Sequence, residues 1–264
     1  MNKPLVSVVI TTKNSSRTIE KCLKSVKNQS YKSIELIVVD NNSTDSTKEI
    51  AKKYADSVLN KGPERSAQRN FGVKKSRGHY VLVHDSDIYF NSNSIKECVE
   101  VCEKGGCDAA ILPEKSIGDG FWTRVKAFER SFYVGNDYIE AARFFKKEVF
   151  LKVGGYDEEL YAGEDWDLTN RLRDGGYSIG RAKSLLEHDE GRLNFFGSSK
   201  KKRYYSKNFF EVYAKKNPKY FKKQMSFFVR FPPKKILQKA FVHPVLFLSM
   251  VVMKSVEYLG TKKS

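Results

Sequence analysis

The stretch His79–Phe90, HYVLVHDSDIYF, decides the fold. Its apolar run, Tyr80-Val81-Leu82-Val83, reads as a buried strand that leads straight into two aspartates one residue apart, Asp85 and Asp87. Open α/β sheets carry their chemistry at the carboxyl ends of their strands. Two carboxylates placed there repel each other and are costly to desolvate. A divalent cation relieves both problems, and such a cation keeps waters and bridges to phosphates. Taken alone, Asp-x-Asp at a strand end is also the composition of a solvated turn. The segments around it separate the two readings.

Upstream, Leu5–Thr11 and Ile34–Val39 are further buried-type strands. Between them Ile19, Leu23 and Val26 recur at helical spacing, which predicts a helix over Ser16–Asn28. Asn42-Ser43-Thr44-Asp45 caps a helix running toward Tyr54, Ser57–Leu59 is a short strand, and Arg65–Lys75 is a helix feeding the Tyr80 strand. Downstream come a helix over Ser94–Lys104 and a strand over Ala109–Leu112. Strands alternating with helices mean βαβ units, hence a mostly parallel sheet flanked by helices. From Gly120 the pattern changes. Phe121, Val125, Phe128 and Phe132 form a helical apolar stripe, Tyr138–Phe145 reads as a strand, and Glu148–Val153 as a short helix. Gly163-Glu164-Asp165-Trp166-Asp167 opens another helix, with Tyr177–Arg181 as a strand after it, and Asp167 is spaced to pair with Arg171.

Charge divides the chain unevenly. Residues 200–264 hold 17 Lys/Arg against two acids, a net +15, whereas residues 1–199 hold 31 against 29, a net +2. A near-neutral body with a strongly basic tail points to an anionic surface as partner. In the tail, basic runs such as Lys200–Arg203 alternate with aromatics, and Ala240–Met253 carries no formal charge. That stretch is shorter than the ~20 apolar residues of a membrane span. It is also interrupted at His243-Pro244, so an interfacial or re-entrant helix, or one docked on the body, is expected. At 40% hydrophobic and 13% aromatic residues the chain can build a core, which excludes general disorder. Cys22, Cys98, Cys102 and Cys107 lack metal-ligand spacing, and the apolar run after Met1 reads as a strand rather than a secretory leader. Reduced thiols in a cytoplasmic protein are expected.

Four segments in one order carry a resemblance: VSVVITTKN (Val6–Asn14), ELIVVDNNSTDST (Glu35–Thr47), AQRNFGVKKSRGHYVLVHDSDI (Ala67–Ile88) and GGYDEELYAGEDWDLTNRL (Gly154–Leu172). Over roughly residues 5–190 the chain resembles the family-2 inverting glycosyltransferases of the GT-A fold. The resemblance implies an α/β fold of GT-A type with a Rossmann-like nucleotide-binding half. It places a glycosyltransferase domain in residues 1–199, followed by a basic, partly helical extension in 200–264 with its hydrophobic segment at 240–253.

It also implies site roles. Thr11, Thr12, Lys13 and Asn14 would lie under the nucleotide; many members have an aromatic residue at Lys13, and a lysine there would reach phosphate instead. Asp40 or Asn41 would pair with the edge of the base, and Arg69, followed by Asn70, would neutralise diphosphate or grip the base. Asp85 and Asp87 match the Asp-x-Asp motif that holds Mn2+ or Mg2+, with Asp87 as the more direct ligand and Asp85 nearer the ribose or donor sugar. His188 would complete the metal shell. Asp165, with Glu164 beside it, falls at the catalytic-base position. Inversion requires the acceptor oxygen on the face opposite the leaving group, and a base must take its proton as the bond forms. At a helix start the dipole favours the ionised carboxylate.

The implied partners are a UDP- or GDP-sugar donor, a lipid-linked or glycan acceptor, and an anionic membrane surface met by residues 200–264 from its cytoplasmic side. Two other readings stand beside this one. A nucleotidyltransferase can share a metal-dependent α/β nucleotide site. A nucleic-acid binder could use the aromatic-interleaved tail, although no RNA or DNA module is present and the body is near neutral.

Overall fold

The three predicted apolar strands pair side by side. β1 (Val6–Thr12) lies parallel between β2 (Ile34–Asp40) and β4 (Tyr80–Asp85), and β3 (Ser57–Asn60) extends the edge beyond β2. The computed structural model describes residues 3–193 and 199–262, with side chains left out for 199–203 and 258–262. The Lys200–Arg203 run therefore lies outside the described side chains. Among the described residues, the central sheet has seven strands ordered β3-β2-β1-β4-β8-β6-β9. Its far half comprises β6 (Ala109–Ile111), β8 (Ala142–Lys146) and β9 (Ile179–Arg181), and β8 runs antiparallel to both its neighbours. The strand expected from Tyr138 starts only at Ala142. Residues 133–140 are spent on turns in which Asn136 N–H bonds Tyr133 O and Glu140 N–H bonds Asn136 O.

Apolar residues run continuously along β1, β2 and β4 because both faces of the sheet are covered. One face packs Val8, Ile10, Leu36 and Leu82 against α1 (Ile19–Lys27) and α4 (Ser94–Glu103), whose Cys98 and Cys102 are free and buried. The short helix α2 (Thr47–Lys52) adds Ala51 to that core. The other face packs Val9, Ile37, Val81 and Val83 against α3 (Arg65–Lys75), α6 (Lys147–Lys152) and α7 (Glu164–Asp174). α3 lies close to the sheet because of Gly72, where a β-carbon would collide with the side chains of Val9 and Val39. That close approach sets the depth at which α3 presents Arg69.

A second sheet has no counterpart among the predicted strands. β5 (Ile88–Tyr89), β10 (Leu186–Asp189) and β7 (Glu114–Ile117) form it in that order. Their sequences, IY, EKSI and LEHD, are short and charged, so no hydrophobic alternation betrays them. α5 (Phe121–Arg130) packs against β7.

The tail is helical among its described residues. α8 (Ser199–Asn208) passes through a π-helical turn, Phe209–Tyr213, into α9 (Ala214–Lys216). α10 (Pro218–Met225), α11 (Phe227–Arg230), α12 (Pro233–Val242) and α13 (Pro244–Lys262) follow. Tail aromatics turn inward as well as outward. Tyr213 is fully buried and stacks on Phe209 with ring centres 5.0 Å apart, which removes it from any nucleic-acid stacking surface. The uncharged stretch over 240–253 breaks between α12 and α13, and Met250 and Met253 bury against Val125, Phe128 and Phe132. No helix among the described residues is long and apolar enough to cross a membrane.

Gly72→Ala inserts a methyl between α3 and two strands. It is expected to lower the free energy of urea unfolding by about 1–3 kcal/mol, the usual cost of overpacking a core. Unchanged stability would show that α3 has room to move.

Candidate active site

Parallel pairing brings the strand ends into one row. Thr11 lies opposite Asp85, and Thr12 opposite Asp40, at the carboxyl edge of the sheet. Asp40 is fully buried. Its Oδ2 accepts the Ser43 N–H at 2.8 Å and faces Lys48 at 3.4 Å, while its Oδ1 and the Thr12 hydroxyl are buried with no partner among the described residues. Buried polar atoms are rarely left so, and an open acceptor there suits a ligand N–H. Asn41 packs its amide against Gly62, and exposed Asn14 accepts the Thr44 N–H at 2.9 Å. Lys13 is exposed at the rim.

Arg69 sits at the centre, with none of its surface exposed. One guanidinium nitrogen, Nη2, donates to both oxygens of Asp85 at 3.0 Å; the other, Nη1, donates to Glu164 Oε1 at 3.0 Å and Asp165 Oδ1 at 2.9 Å. Tyr156 lies against it, ring centre 5.1 Å away. Two further arginines flank the group. Arg65, one helical turn before Arg69, approaches Asp85 and Glu164, both at 3.5 Å. Arg143, delivered by antiparallel β8, donates to Asp165 Oδ1 at 2.5 Å. Thr11 adds a 2.7 Å hydrogen bond to Asp85.

Three carboxylates and three guanidiniums thus share one partly desolvated cluster. Burial alone would raise Asp85, but the charges of Arg69, Arg65 and Arg143 and the Thr11 hydroxyl hold it well below the ordinary carboxylate range. Glu164 moves the other way: burial and the neighbouring Asp165 charge raise it despite the arginines. Asp165 uses Oδ1 for both its arginines, and Oδ2 has no partner among the described residues. Gly163, at φ 80°, starts α7 in the left-handed region, and a β-carbon there would strike the Tyr213 ring. The acids of the first turn, Glu164, Asp165 and Asp167, meet the positive end of the helix dipole, and Asp167 pairs with Arg171 at 2.7 Å.

Asp87 lies apart from this cluster. The second sheet registers His188 opposite Ile88, placing His188 Nε2 3.6 Å from Asp87 Oδ2. Asp87 Oδ1 is buried without a partner. Behind the imidazole, Nδ1 lies 2.7 Å from Arg130 Nη1 and 3.2 Å from Glu114 Oε2. Burial would lower His188, but hydrogen bonds to Asp87 and Glu114 outweigh it and push it up to about 10. One open carboxylate and one imidazole backed by an acid are a two-donor set, in which a bound cation would replace the proton that the raised His188 carries. It fits Mn2+ or Mg2+ completed by water and phosphate oxygens. Among the described residues no group of three or more metal-ligating side chains gathers. Asp85 is engaged by the arginines instead.

A cavity of about 570 Å³ joins these groups, walled by Asp85, Asp165 and His188 on one side and Tyr205, Phe209, Arg230 and Lys254 of the tail on the other. Glu129, almost wholly buried, clasps Lys126 and Lys254, both at 2.8 Å, tying α13 to α5. Burial would raise this carboxyl, but the two lysines hold it down at about 2. The sequence reading named Arg69, Asp85, Glu164 and Asp165, whose side chains the structure places in contact. It did not name Arg65, Arg143, Glu114 or Arg130. Arg65 was visible as the i−4 neighbour of Arg69 on one helix face. The other three depend on antiparallel β8 and the second sheet, which left no local signal.

Comparison with known proteins agrees with this fold. The family model described as glycosyl transferase family 2 matches residues 7–155, more than half of the chain. Glycosyltransferase AglE of Haloferax volcanii is 27% identical over 200 residues, covering 69% of this chain and 66% of that protein. The GalNAc(5)-diNAcBac-PP-undecaprenol beta-1,3-glucosyltransferase of Campylobacter jejuni is 24% identical over 198 residues, covering 68% and 63%. The chain thus matches less than two thirds of the length of either relative. Among solved structures, the mannosyltransferase PcManGT of Pyrobaculum calidifontis, in complex with GDP-Man and Mn2+, superposes with a TM-score of 0.62 at 15% identity, covering 98% of this chain and 81% of that one. At that identity the likeness speaks for the fold.

Replacing Arg69 with Met leaves its carboxylates facing one another. Breaking a buried ion pair from one side typically costs about 3–5 kcal/mol, and urea unfolding of Arg69→Met at pH 7 is expected to show a loss of that size. Because Asp85 titrates below its unfolded value, its contribution is present above about pH 4 and fades as pH falls further. The penalty of Arg69→Met should therefore shrink as the pH is lowered below about 4. A pH-independent penalty would contradict the assignment.

Proposed function

The chain belongs to glycosyl transferase family 2, and on that premise we propose that it transfers a sugar, with inversion, from a nucleoside-diphosphate donor to an acceptor at a membrane surface. One observation carries the reading. Asp165 is fixed through Oδ1 by Arg69 and Arg143 and keeps Oδ2 open in the wall of a cavity that also exposes Asp85 and His188.

In this proposal the base of the donor lies at the ends of β1 and β2. Asp40 Oδ1 is open while Oδ2 is already taken by Ser43 and Lys48, which leaves one carboxylate oxygen to accept from the edge of the base. Thr12 and Asn14 would border the base, and exposed Lys13 between them would reach the diphosphate. Asp87 and His188 would hold Mn2+ or Mg2+, which when bound offsets the charge that grows on the departing diphosphate. Asp85, kept ionised by its arginines, would face the ribose or donor sugar.

Asp165 then takes the proton of the acceptor hydroxyl through Oδ2 as the sugar arrives. Its two arginines hold the carboxylate in place and keep it from swinging into the donor. Glu164, whose carboxyl is pushed up by burial, binds Arg69 rather than substrate. Tyr205 and Phe209 of the tail screen the cavity from bulk water on its acceptor side.

The membrane setting rests on the tail. Leu237, Phe241, Val245, Leu248 and Val252 form an apolar ridge along α12 and α13, with Phe241 90% exposed. Exposed apolar surface on this scale marks an interaction site. Set in a tail of net +15, it suits the interface of an anionic leaflet. The Campylobacter jejuni relative is named for a PP-undecaprenol acceptor, which is consistent with a lipid-linked substrate here.

Purified protein with Mn2+ or Mg2+ is expected to be protected in thermal shift by one member of a nucleotide-sugar panel and to hydrolyse it slowly; a panel without any such member would sink the reading. Asp165→Asn should retain that protection while losing transfer by roughly 10²–10⁴-fold. Unchanged transfer would remove Asp165 from the role of base. In flotation, Leu237→Ser/Phe241→Ser should release the protein from anionic vesicles, and equal binding by wild type and variant would contradict the docking face.

A further inference from the structure

Among the described residues six lysines and arginines line the cavity, and five of them face carboxylates. Arg65 meets Asp85 and Glu164, Arg143 meets Asp165, and Arg130 meets Glu114 and Glu190. Lys126 and Lys254 share Glu129, and Lys254 also reaches Glu257. Arg230, at the end of α11, is the exception: among the described residues it has no carboxylate partner. Its Nε donates to the Gln224 carbonyl at 2.5 Å, and its Nη2 lies 3.7 Å from the Met225 sulfur. The guanidinium is 5.8 Å from the ring of Trp166, the residue next to Asp165. Trp166 is itself pinned by its indole N–H to the Ile139 carbonyl at 2.7 Å. The cation is therefore oriented by its neighbours, Tyr133 among them through a side-chain hydrogen bond, in the wall of the cavity that Asp165 also lines.

A half-buried guanidinium held in place without an anion is a receptor for one. Its planar fork suits phosphate oxygens. The same short helix exposes Phe227 and Phe228, 60% and 68% accessible, so apolar surface adjoins the cationic end of the cavity. We propose that Arg230 binds a phosphate group of the acceptor, so that the reacting hydroxyl reaches Asp165 with its phosphate anchored at the tail. This deepens the glycosyltransferase reading and rests on it for the word acceptor; the phosphate site itself stands on Arg230, Trp166 and the cavity. A purely structural Arg230, capping Gln224 and stacking on Trp166, would bind no phosphate.

Isothermal titration of the full-length chain in EDTA, where no metal-held diphosphate competes, tests this with methyl phosphate and geranyl phosphate. Both should bind wild type in one-to-one ratio. Arg230→Gln should weaken both by roughly ten- to a hundredfold, the effect of losing a charge-assisted hydrogen-bonded partner. Arg230→Lys should recover part of the loss, and Lys222→Gln, elsewhere on the basic tail, should change nothing. Much tighter binding of geranyl phosphate identifies a lipid headgroup as the source of the phosphate, and equal binding of the two probes identifies a water-soluble phosphate. Equal affinity of Arg230→Gln and wild type, or binding of neither probe to wild type, overturns the proposal. If Arg230→Gln does not fold, Arg230→Lys decides: without the guanidinium fork it must bind methyl phosphate several-fold more weakly than wild type. Failure of the glycosyltransferase reading would show separately, as a nucleotide-sugar panel with no hit.

Discussion

The buried guanidinium of Arg69 is the constraint around which the rest is arranged. It joins the end of β4 to the start of α7, segments separated from it by 16 and 95 residues in the chain. An arginine with no exposed surface is tolerated only where carboxylates meet it, and carboxylates so crowded are tolerated only around a cation. Each side of the bargain enforces the other. The depth of α3 against the sheet, permitted by Gly72, fixes where the cation lies and so where Asp85 and Asp165 must come.

The cavity wall divides according to what holds each charge. On the side of the central sheet, carboxylates and arginines neutralise one another, leaving one oxygen of Asp165 as a place for a ligand to complete. The second sheet is small, yet it brings His188 to Asp87 and supports the imidazole with Glu114 and Arg130. On the opposite side the tail supplies cations. Only Glu129, from the body, reaches across to hold Lys254, and that clasp fastens α13 in place.

The tail consequently works on two surfaces at once. Its inner face buries Phe231, Met250 and Met253 against α5 and lends Tyr205, Phe209 and Arg230 to the cavity. Its outer face leaves an apolar ridge exposed. On the proposed reading this couples membrane docking to the shape of the acceptor site, because the helices that meet the lipid also wall the place where the acceptor reacts.

Local pattern in the sequence settled the central elements. Short continuous apolar runs bounded by turn signals fit strands covered on both faces, so β1, β2 and β4 were legible, as was a helix near Arg65–Lys75. The roles of the site segments came only with the family resemblance, which set them at strand ends and a helix start, where a sheet of this class displays its polar groups. What composition and periodicity could not decide was anything set by long-range pairing. The charged strands EKSI and LEHD, the antiparallel insertion of β8 and the inward turn of Tyr213 leave no periodic trace, because their stability comes from partners distant in the chain. Tertiary structure alone therefore decided which oxygen of Asp165 stays open, that His188 faces Asp87, and that Arg230 stands in the cavity wall without a carboxylate partner among the described residues. Charge pairing depends on separations of a few ångströms, and sequence order does not fix these.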